Sequence, residues 1–437
     1  MNIKKIAFTT LGCKVNLYDT EAMMELFEKE GYQIVDFDDV ADVYVINTCT
    51  VTNLGDKKSR QMIRRAKSLN QHSIIVATGC YSQVAPDEVA KIEGINIVIG
   101  TKNRLEIVET VKKYEQEHKK DVLNTVSDIM KERSFEPLSI SDLKDRTRAY
   151  LKIQEGCNRF CTYCIIPYAR GPVRSRQPED VIKEVEKLAQ NGFKEIVLTG
   201  IHILSYGADL KNTNFIDIIK KVHNVDGIER IRFSSIEPLV ITDEFIEEMK
   251  KLPKVCNHYH LSLQSGSNNT LLRMKRQYTK EQYKDALKKL RDAFDDVAIT
   301  TDIIVGFPGE TEEDFIESYN FVKEMKISKV HAFPYSPKKG TKAATFENQI
   351  SNDVKNKRNK QMIDLSNELN IQFLQSMLNK TVPVLFEKQR EDGLFEGHTT
   401  NYITVCAKTD KDLKNKILNV KLTEVLKEEN MLGVICQ

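Results

Sequence analysis

Apolar and polar positions alternate along this chain in two periods, and the switches between them mark out its elements. Three short apolar runs come first: Ile3, Ile6, Ala7 and Phe8; Val43, Tyr44, Val45 and Ile46; Ile74, Ile75 and Val76. Each has strand length and is followed by apolar positions at helical spacing, an order that predicts βαβ units around a parallel sheet. From Tyr150 the alternation resumes and repeats six times, through AYLKI, EIVLTG, RIRFSS, HYHLSLQ, AITTDIIVGF and KVHAFPY. Helical patterns are expected to start near Pro178, Asn214, Thr242, Thr279 and Thr311, and acidic residues within two or three positions of the threonines suit capping. Six β/α repeats fall short of eight, so they predict an open partial (β/α)6 barrel with its site at the carboxyl ends of the strands.

Two further stretches differ in character. The charged segment from Glu109 to Arg148, with EQEHKKD and KERSFEPLSISDLKDRTR, reads as a helix and linker that bury little. After the barrel repeats, a polar helix, NDVKNKRNKQMIDLSNELNIQF, leads to TVPVLFEK, LFEGHTTNYITVCAK and ILNVKLTEVL, broken at Asp392-Gly393 and Asn415. Short alternating runs with such breaks predict a small β-barrel. The expected class is α/β, divided at 1–108, 109–146, 147–376 and 377–437.

Composition narrows the setting. A chain of 437 residues suggests about three domains. No apolar run approaches the roughly 20 residues that span a bilayer, so no membrane role is expected. The start, MNIKKIAFTT, lacks the apolar core of a signal peptide, which predicts a cytoplasmic protein with reduced thiols. Its nine cysteines, an odd number, then point to metal or redox chemistry before disulfides. With a formal net charge of +2, any nucleic-acid contact must come from a local basic patch.

Three of the cysteines crowd into GCNRFCTYC: Cys157, Cys161 and Cys164. A structural zinc wants four protein ligands, and the nearest histidine, His202, lies far along the chain. A four-iron cube held by three thiolates leaves one iron open to a small molecule. The motif follows the first barrel strand, so its loop delivers such a cluster to the barrel mouth, with Phe160, Tyr163, Ile165 and Ile166 as a dry wall. Cys13, Cys49 and Cys80 are far apart in sequence, yet each ends one of the three N-terminal strands. In a parallel sheet those ends flank one crevice, which predicts a second three-thiolate site with Gly12 and Gly79 as turn residues; three buried structural cysteines are the alternative. Cys256, Cys406 and Cys436 show no such pattern and read as structural.

The spacing Cys157-x-x-x-Cys161-x-x-Cys164 after strand one of a partial barrel resembles the radical S-adenosylmethionine enzymes. That resemblance implies that the methionine amine and carboxylate chelate the open iron and that an electron from the cluster cleaves the sulfonium to a 5'-deoxyadenosyl radical. It places Tyr163 against the adenine and Thr199-Gly200 near the methionine amine, with Ser235, Glu237, Gln264, Ser265, Asp302 and Gly306 as further cofactor contacts. Three strand-end cysteines, a radical barrel and a terminal β-barrel together resemble the methylthiotransferase family. This implies two four-iron four-sulfur clusters, S-adenosylmethionine as methyl and radical source, and a low-potential electron donor such as a flavodoxin or ferredoxin. TTLGCKVNLYDTE and EGCNRFCTYCIIPYARGPVRSR are most similar to the branch acting on tRNA N6-threonylcarbamoyladenosine beside the anticodon. The isopentenyladenosine branch, the branch acting on a ribosomal-protein aspartate, and a zinc-stabilised RNA-binding protein remain alternatives.

RNA binding predicts an electrostatic trace. In DKKSRQMIRRAK, Lys57, Arg60, Arg64 and Lys67 share one helical face opposite Met62, Ala66 and Leu69, a candidate phosphate track or a solvated face. Arg170, Arg174 and Arg176 near the cluster loop are candidates for phosphate or a substrate carboxylate. The terminal barrel resembles the small RNA-binding (TRAM-like) module that ends these enzymes, which implies an anticodon stem-loop contact; its own charges nearly cancel, and a protein-contact barrel is the alternative. GFPGET lacks the ending of a phosphate loop, and His258 and His260 read as a polar strand face before they read as ligands.

Overall fold

The computed structural model describes residues 3–117, 121–141, 146–426 and 430–436. Its N-terminal sheet is built from β1 (Lys5–Thr10), β2 (Gln33–Val35), β3 (Val43–Thr48), β4 (Ile74–Gly79), β5 (Ile97–Val98) and β6 (Leu123–Asn124), in the order β2-β1-β3-β4-β5-β6 with every pair parallel. The connecting helices are α1 (Lys14–Lys29), α2 (Asn53–Leu69), α3 (Cys80–Val84), α4 (Pro86–Ala90) and α5 (Ile107–Gln116). Parallel strands must bury both faces. On one, Ile6, Val43, Val45 and Val76 meet Met23 and Phe27 of α1 and Val108 and Val111 of α5; on the other, Tyr44 and Ile46 meet Ile63 and Ala66 of α2.

The charged segment departs from expectation. Leu123 pairs with Ile97, adding a sixth strand beyond the expected boundary at 108, and Ile129, Glu136, Leu138 and Ile140 are buried. Leu138 and Ile140 belong to the core of the following barrel. Its apolar residues are sparse, and most are buried or half-buried while Met130 stays exposed, which average composition conceals. Residues 118–120 of EQEHKKD and 142–145 lie outside the described residues.

All six expected barrel strands form: β7 (Arg148–Glu155), then, after the short antiparallel β8 (Arg174–Ser175), β9 (Glu195–Gly200), β10 (Arg230–Phe233), β11 (His258–His260), β12 (Ala298–Val305) and β13 (Lys329–Pro334). They run β8-β7-β9-β10 and β11-β12-β13, and the bridges Ile231↔Val255 and Ile236↔Leu261 join the two sheets into one open arc. After the cysteine loop, α6 (Ile166–Arg170) packs on α3, and the helices α7 (Pro178–Gln190), α8 (Phe215–His223), α9 (Asp243–Lys250), α10 (Asn268–Arg273), α11 (Lys280–Ala293) and α12 (Glu312–Glu324) alternate with the strands. Asn214, Thr279 and Thr311 make reciprocal capping boxes with Asp217, Gln282 and Asp314, while Thr242 caps through the Phe245 amide alone. At Thr279 the partner is thus a glutamine, not the neighbouring acid Glu281.

Helix α13 (Asn352–Ser376) leads to a closed barrel of β14 (Thr381–Gln389), β15 (Phe395–Thr399), β16 (Thr404–Ala407), β17 (Ile417–Val425) and β18 (Met431–Ile435). Gly393 and Asn415 take the positive φ that their turns require. This unit docks on the amino-terminal ends of the barrel strands: Arg230 donates to His398 O (2.8 Å) and Pro383 O (2.9 Å), Arg232 to Thr400 O (3.0 Å), and Arg148 pairs with Glu387 (3.0 Å). Among the described residues no helix is long and apolar enough to cross a membrane.

Candidate active site

Cys13 immediately precedes α1, Cys49 follows β3, and Cys80 begins α3 directly after β4. The register that sets β1, β3 and β4 side by side therefore brings three distant cysteines to one sheet end. Backbone freedom makes the approach possible. Gly79 has φ +94°, and a Cβ there would lie 2.4 Å from Asn47 Oδ1 and 2.6 Å from Thr48 O; at Gly12, φ +103°, it would lie 2.9 Å from Cys49 Sγ. Asn16 ties the strand ends together by donating to Leu11 O (2.7 Å) and Thr48 O (3.0 Å).

The second trio is local. Gly156, φ +77°, packs so tightly on Pro172 that a Cβ would overlap its carbonyl, and the loop carrying Cys157, Cys161 and Cys164 turns back through Cys157 N–H to Gly171 O (3.0 Å) and Thr162 N–H to Met274 O (3.1 Å). Arg276 Nη1 donates to Cys161 Sγ (3.4 Å), and its Nη2 pairs with Glu237 (2.9 Å), which also meets Arg159 (3.1 Å) and His202 (3.3 Å). Burial opposes ionisation of Glu237, but the His202 hydrogen bond and the charges of Arg276 and Arg159 hold it at about 2.

Both trios suit a cationic cluster. Burial, and the neighbouring thiols, push Cys49 and Cys157 up to about 11 and Cys164 to about 12, so the thiolates need positive charge to form. Among the described residues no three His, Cys, Asp or Glu side chains converge closely enough for a single ion. An iron-sulfur cube spaces its thiolates more widely than one zinc does, and three sulfurs per site with glycine-made room fit a cube with one open iron.

Between the trios lies a buried polar knot. Arg170, six residues after Cys164 and fully buried, donates from Nε to Cys80 Sγ (3.3 Å) and reaches Asp19 (3.0 Å), Glu155 and Asn16. Asp19 is shared with Lys152 (2.5 Å) and with Arg104, which also holds Glu136 (2.7 Å). Desolvation works against Asp19 and Glu155, but the surrounding cations keep both below the usual carboxylate range. One guanidinium thus connects the helix after one cluster loop to a ligand of the other. A cavity of about 750 Å³ opens beside it, lined by Cys13, Ile166, Thr199, Gly200, Ser235 and Asp302 among others.

Of the expected cofactor contacts, Thr199, Gly200, Ser235 and Asp302 thus share the cavity with Cys13. Glu237 lies in the ion pairs beside the local loop, and Tyr163 packs edge-on against Phe307 at 6.4 Å. Gln264, with φ +68°, bridges to Ile303; the buried Ser265 hydroxyl accepts from Ser267 N (3.2 Å); Gly306, φ +68°, donates to Glu310 (2.8 Å). These last three shape strand-end turns and do not line the cavity.

The arginine reading needs correction. Arg170, Arg174 and Arg176 are buried and offer nothing to RNA phosphate: Arg170 serves the knot, Arg174 donates to Pro172 O (3.1 Å), and Arg176 pairs with Glu184 (2.5 Å). Their segment threads between the two domains, where carboxylates from distant elements meet it. On α2, Lys57 and Arg64 face solvent, while Arg60 donates to Tyr81 Oη (3.0 Å) and Lys67 to Gln71 O (2.5 Å). His258 and His260 both bond Thr300 Oγ1 (3.0 and 2.9 Å), a polar strand face. Cys256 and Cys406 are buried; Cys436, expected to be structural, is exposed. Arg276, Arg159 and His202 were not legible as site residues, since no motif spacing links them to Glu237.

Comparison with known proteins places this geometry. Residues 151–322 match the Radical SAM superfamily, and residues 5–100 match Uncharacterized protein family UPF0004. Threonylcarbamoyladenosine tRNA methylthiotransferase MtaB of Bacillus subtilis (strain 168) is 50% identical over 422 residues, 95% of this chain and 93% of that protein. MtaB of Aquifex aeolicus (strain VF5) is 41% identical, covering 92% and 96%. The tRNA-2-methylthio-N(6)-dimethylallyladenosine synthase of Thermoanaerobacter sp. (strain X514) is 38% identical, covering 95% and 89%. In fold, the radical S-adenosylmethionine methyltransferase TsrM from Kitasatospora setae aligns at TM-score 0.54 and 14% identity, over 76% of this chain and 72% of that one. With two cluster-fitting trios, Cys13 of one lining a cavity at the barrel strand ends, and relatives matching nearly end to end, the chain belongs to the radical S-adenosylmethionine methylthiotransferase family, enzymes that use four-iron four-sulfur clusters and S-adenosylmethionine.

Proposed function

We infer that this chain inserts a methylthio group at carbon 2 of N6-threonylcarbamoyladenosine next to the anticodon of tRNA, in the cytoplasm. The observation that carries the reading is that Arg170, from the helix after the local cysteine loop, donates to Cys80 of the other trio, while Cys13 lines the cavity that also meets the second and third barrel strand ends. The choice of nucleoside is supported by the higher identity to the two MtaB proteins than to the dimethylallyladenosine synthase.

A cluster held by Cys157, Cys161 and Cys164 would supply the electron for cleavage of S-adenosylmethionine, and one held by Cys13, Cys49 and Cys80 would supply sulfur. The chain's own residues orient and shield. Phe160, Ile165 and Ile166 exclude water from the local loop, and Arg276 donates toward Cys161, an N–H···S contact of the kind that tunes cluster potential. Thr199, Gly200, Ser235 and Asp302 are proposed to hold the polar parts of the cofactor, with Glu237 fixed as an anion beside them. Region 1–108 would carry the sulfur site, 147–376 the radical site, and 377–437 an RNA-binding module. Lys57 and Arg64 on α2 would follow stem-loop phosphates, and a flavodoxin or ferredoxin would deliver electrons.

The test is nucleoside mass spectrometry. Holoenzyme reconstituted without oxygen and supplied with S-adenosylmethionine and a reductant should convert threonylcarbamoyladenosine in tRNA to its 2-methylthio form. Conversion of isopentenyladenosine alone would move the chain to the neighbouring branch.

A further inference from the structure

Lys14 follows Cys13 directly and lines the same cavity. Its ammonium lies 5.7 Å from the centre of the Tyr150 ring, and among the described residues it takes part in no ion pair. The cations nearby are engaged elsewhere: Arg148 with Glu387 (3.0 Å), Arg232 with Glu195 (2.8 Å) and the docked barrel's carbonyls. Those two carboxylates are consumed, and Asp302, which also lines the cavity, faces His260 (3.2 Å), so among the described residues no carboxylate pairs with the Lys14 ammonium. Gly12, Cys13, Lys14 and Val15 all line it where α1 begins, and that helix start has neither a side-chain cap nor an acidic residue in its first turn. The helix dipole therefore adds to the lysine.

We propose that Lys14 is the specificity residue that binds the carboxylate of the substrate's N6 substituent. This rests on the substrate reading above. Carbon 2 and N6 flank N1 on one edge of adenine, so a nucleoside whose carbon 2 is brought to the Cys13 site projects its N6 group along the same wall. A threonylcarbamoyl group ends in a carboxylate; a dimethylallyl group is neutral and apolar. The unpaired ammonium rewards the first and leaves a desolvated cation unsatisfied beside the second, so one residue both attracts and excludes.

The test compares three anticodon stem-loop RNAs on reconstituted holoenzyme: one with threonylcarbamoyladenosine, one with its carboxyl methyl ester, and one with dimethylallyladenosine. Wild type should bind the acid about tenfold or more tightly than the ester. Lys14→Met should bind acid and ester alike and gain relative affinity for the dimethylallyl RNA, and Lys14→Arg should restore the preference for the acid. Iron content shows whether the variants are assembled, and the acid-to-ester ratio on wild type needs no variant at all. Equal affinity of wild type for acid and ester, or a preference that survives Lys14→Met, overturns the assignment. Methylthiolation of only the dimethylallyl RNA by wild type would instead overturn the substrate reading.

Discussion

The two cysteine trios reach similar chemistry by opposite routes. Cys157, Cys161 and Cys164 sit within eight residues of one loop, which backbone bonds to Gly171 and Met274 hold in place. Cys13, Cys49 and Cys80 depend on the pairing of three parallel strands, and no single segment of chain holds that site. Each trio receives one guanidinium N–H: Arg276 to Cys161 at 3.4 Å, Arg170 to Cys80 at 3.3 Å. The surroundings differ, because Arg276 reaches the barrel mouth whereas Arg170 is sealed in the knot. The lesson is that the trio in the barrel loop can be read from a motif, while the N-terminal trio exists only as a property of the fold.

Removing ligands divides the two sites most sharply. Cys157→Ala should abolish formation of 5'-deoxyadenosine, whereas Cys49→Ala should abolish methylthio insertion while cleavage continues, both followed by chromatography of the reaction. Equal loss of cleavage in both would erase the division of labour. Next comes the knot: Arg170→Met leaves Asp19 and Glu155 short of a buried partner and should cost about 3–5 kcal/mol in urea unfolding of the holoenzyme. Arg276→Met should cost less, because Glu237 keeps Arg159 and His202; a larger loss there would invert the contrast.

Smaller effects sharpen it further. Gly79→Ala and Gly156→Ala each force a side chain into positive φ, about 1–3 kcal/mol of backbone strain before any clash. Iron analysis should show each variant deficient in its own cluster only. Smallest of all, Arg64→Glu should weaken stem-loop binding and lower its salt slope by about 1, with S-adenosylmethionine cleavage unchanged. Unchanged RNA affinity would remove α2 from the phosphate track.

The strands and their caps were legible because period and capping chemistry are local: Asn214 and Thr311 announce their helices within four residues. Both trios were legible too, one from spacing and one from the repeated placement of cysteine after a strand. The partners of the arginines were not. From sequence, Arg170, Arg174 and Arg176 are a basic run near a site, and nothing local says that Asp19 and Glu155 arrive to neutralise them. The segment around Leu138 hides its burial for a related reason: Leu138 and Ile140, apolar residues among many charges, bury fully in the core of the following barrel.

The knot has a consequence for how the molecule comes apart. Asp19 and Arg104 belong to the first sheet domain, Lys152, Glu155 and Arg170 to the second, and none is exposed to water by more than 1%. Tyr18 and Ala22 of α1 also sit in the barrel's own apolar core, so pulling the halves apart would expose that shared core as well as unpair the knot, and neither half is a comfortable free-standing protein. Melting of the two should coincide in a single calorimetric peak, and the N-terminal half has no easy route to exchange as a detachable part.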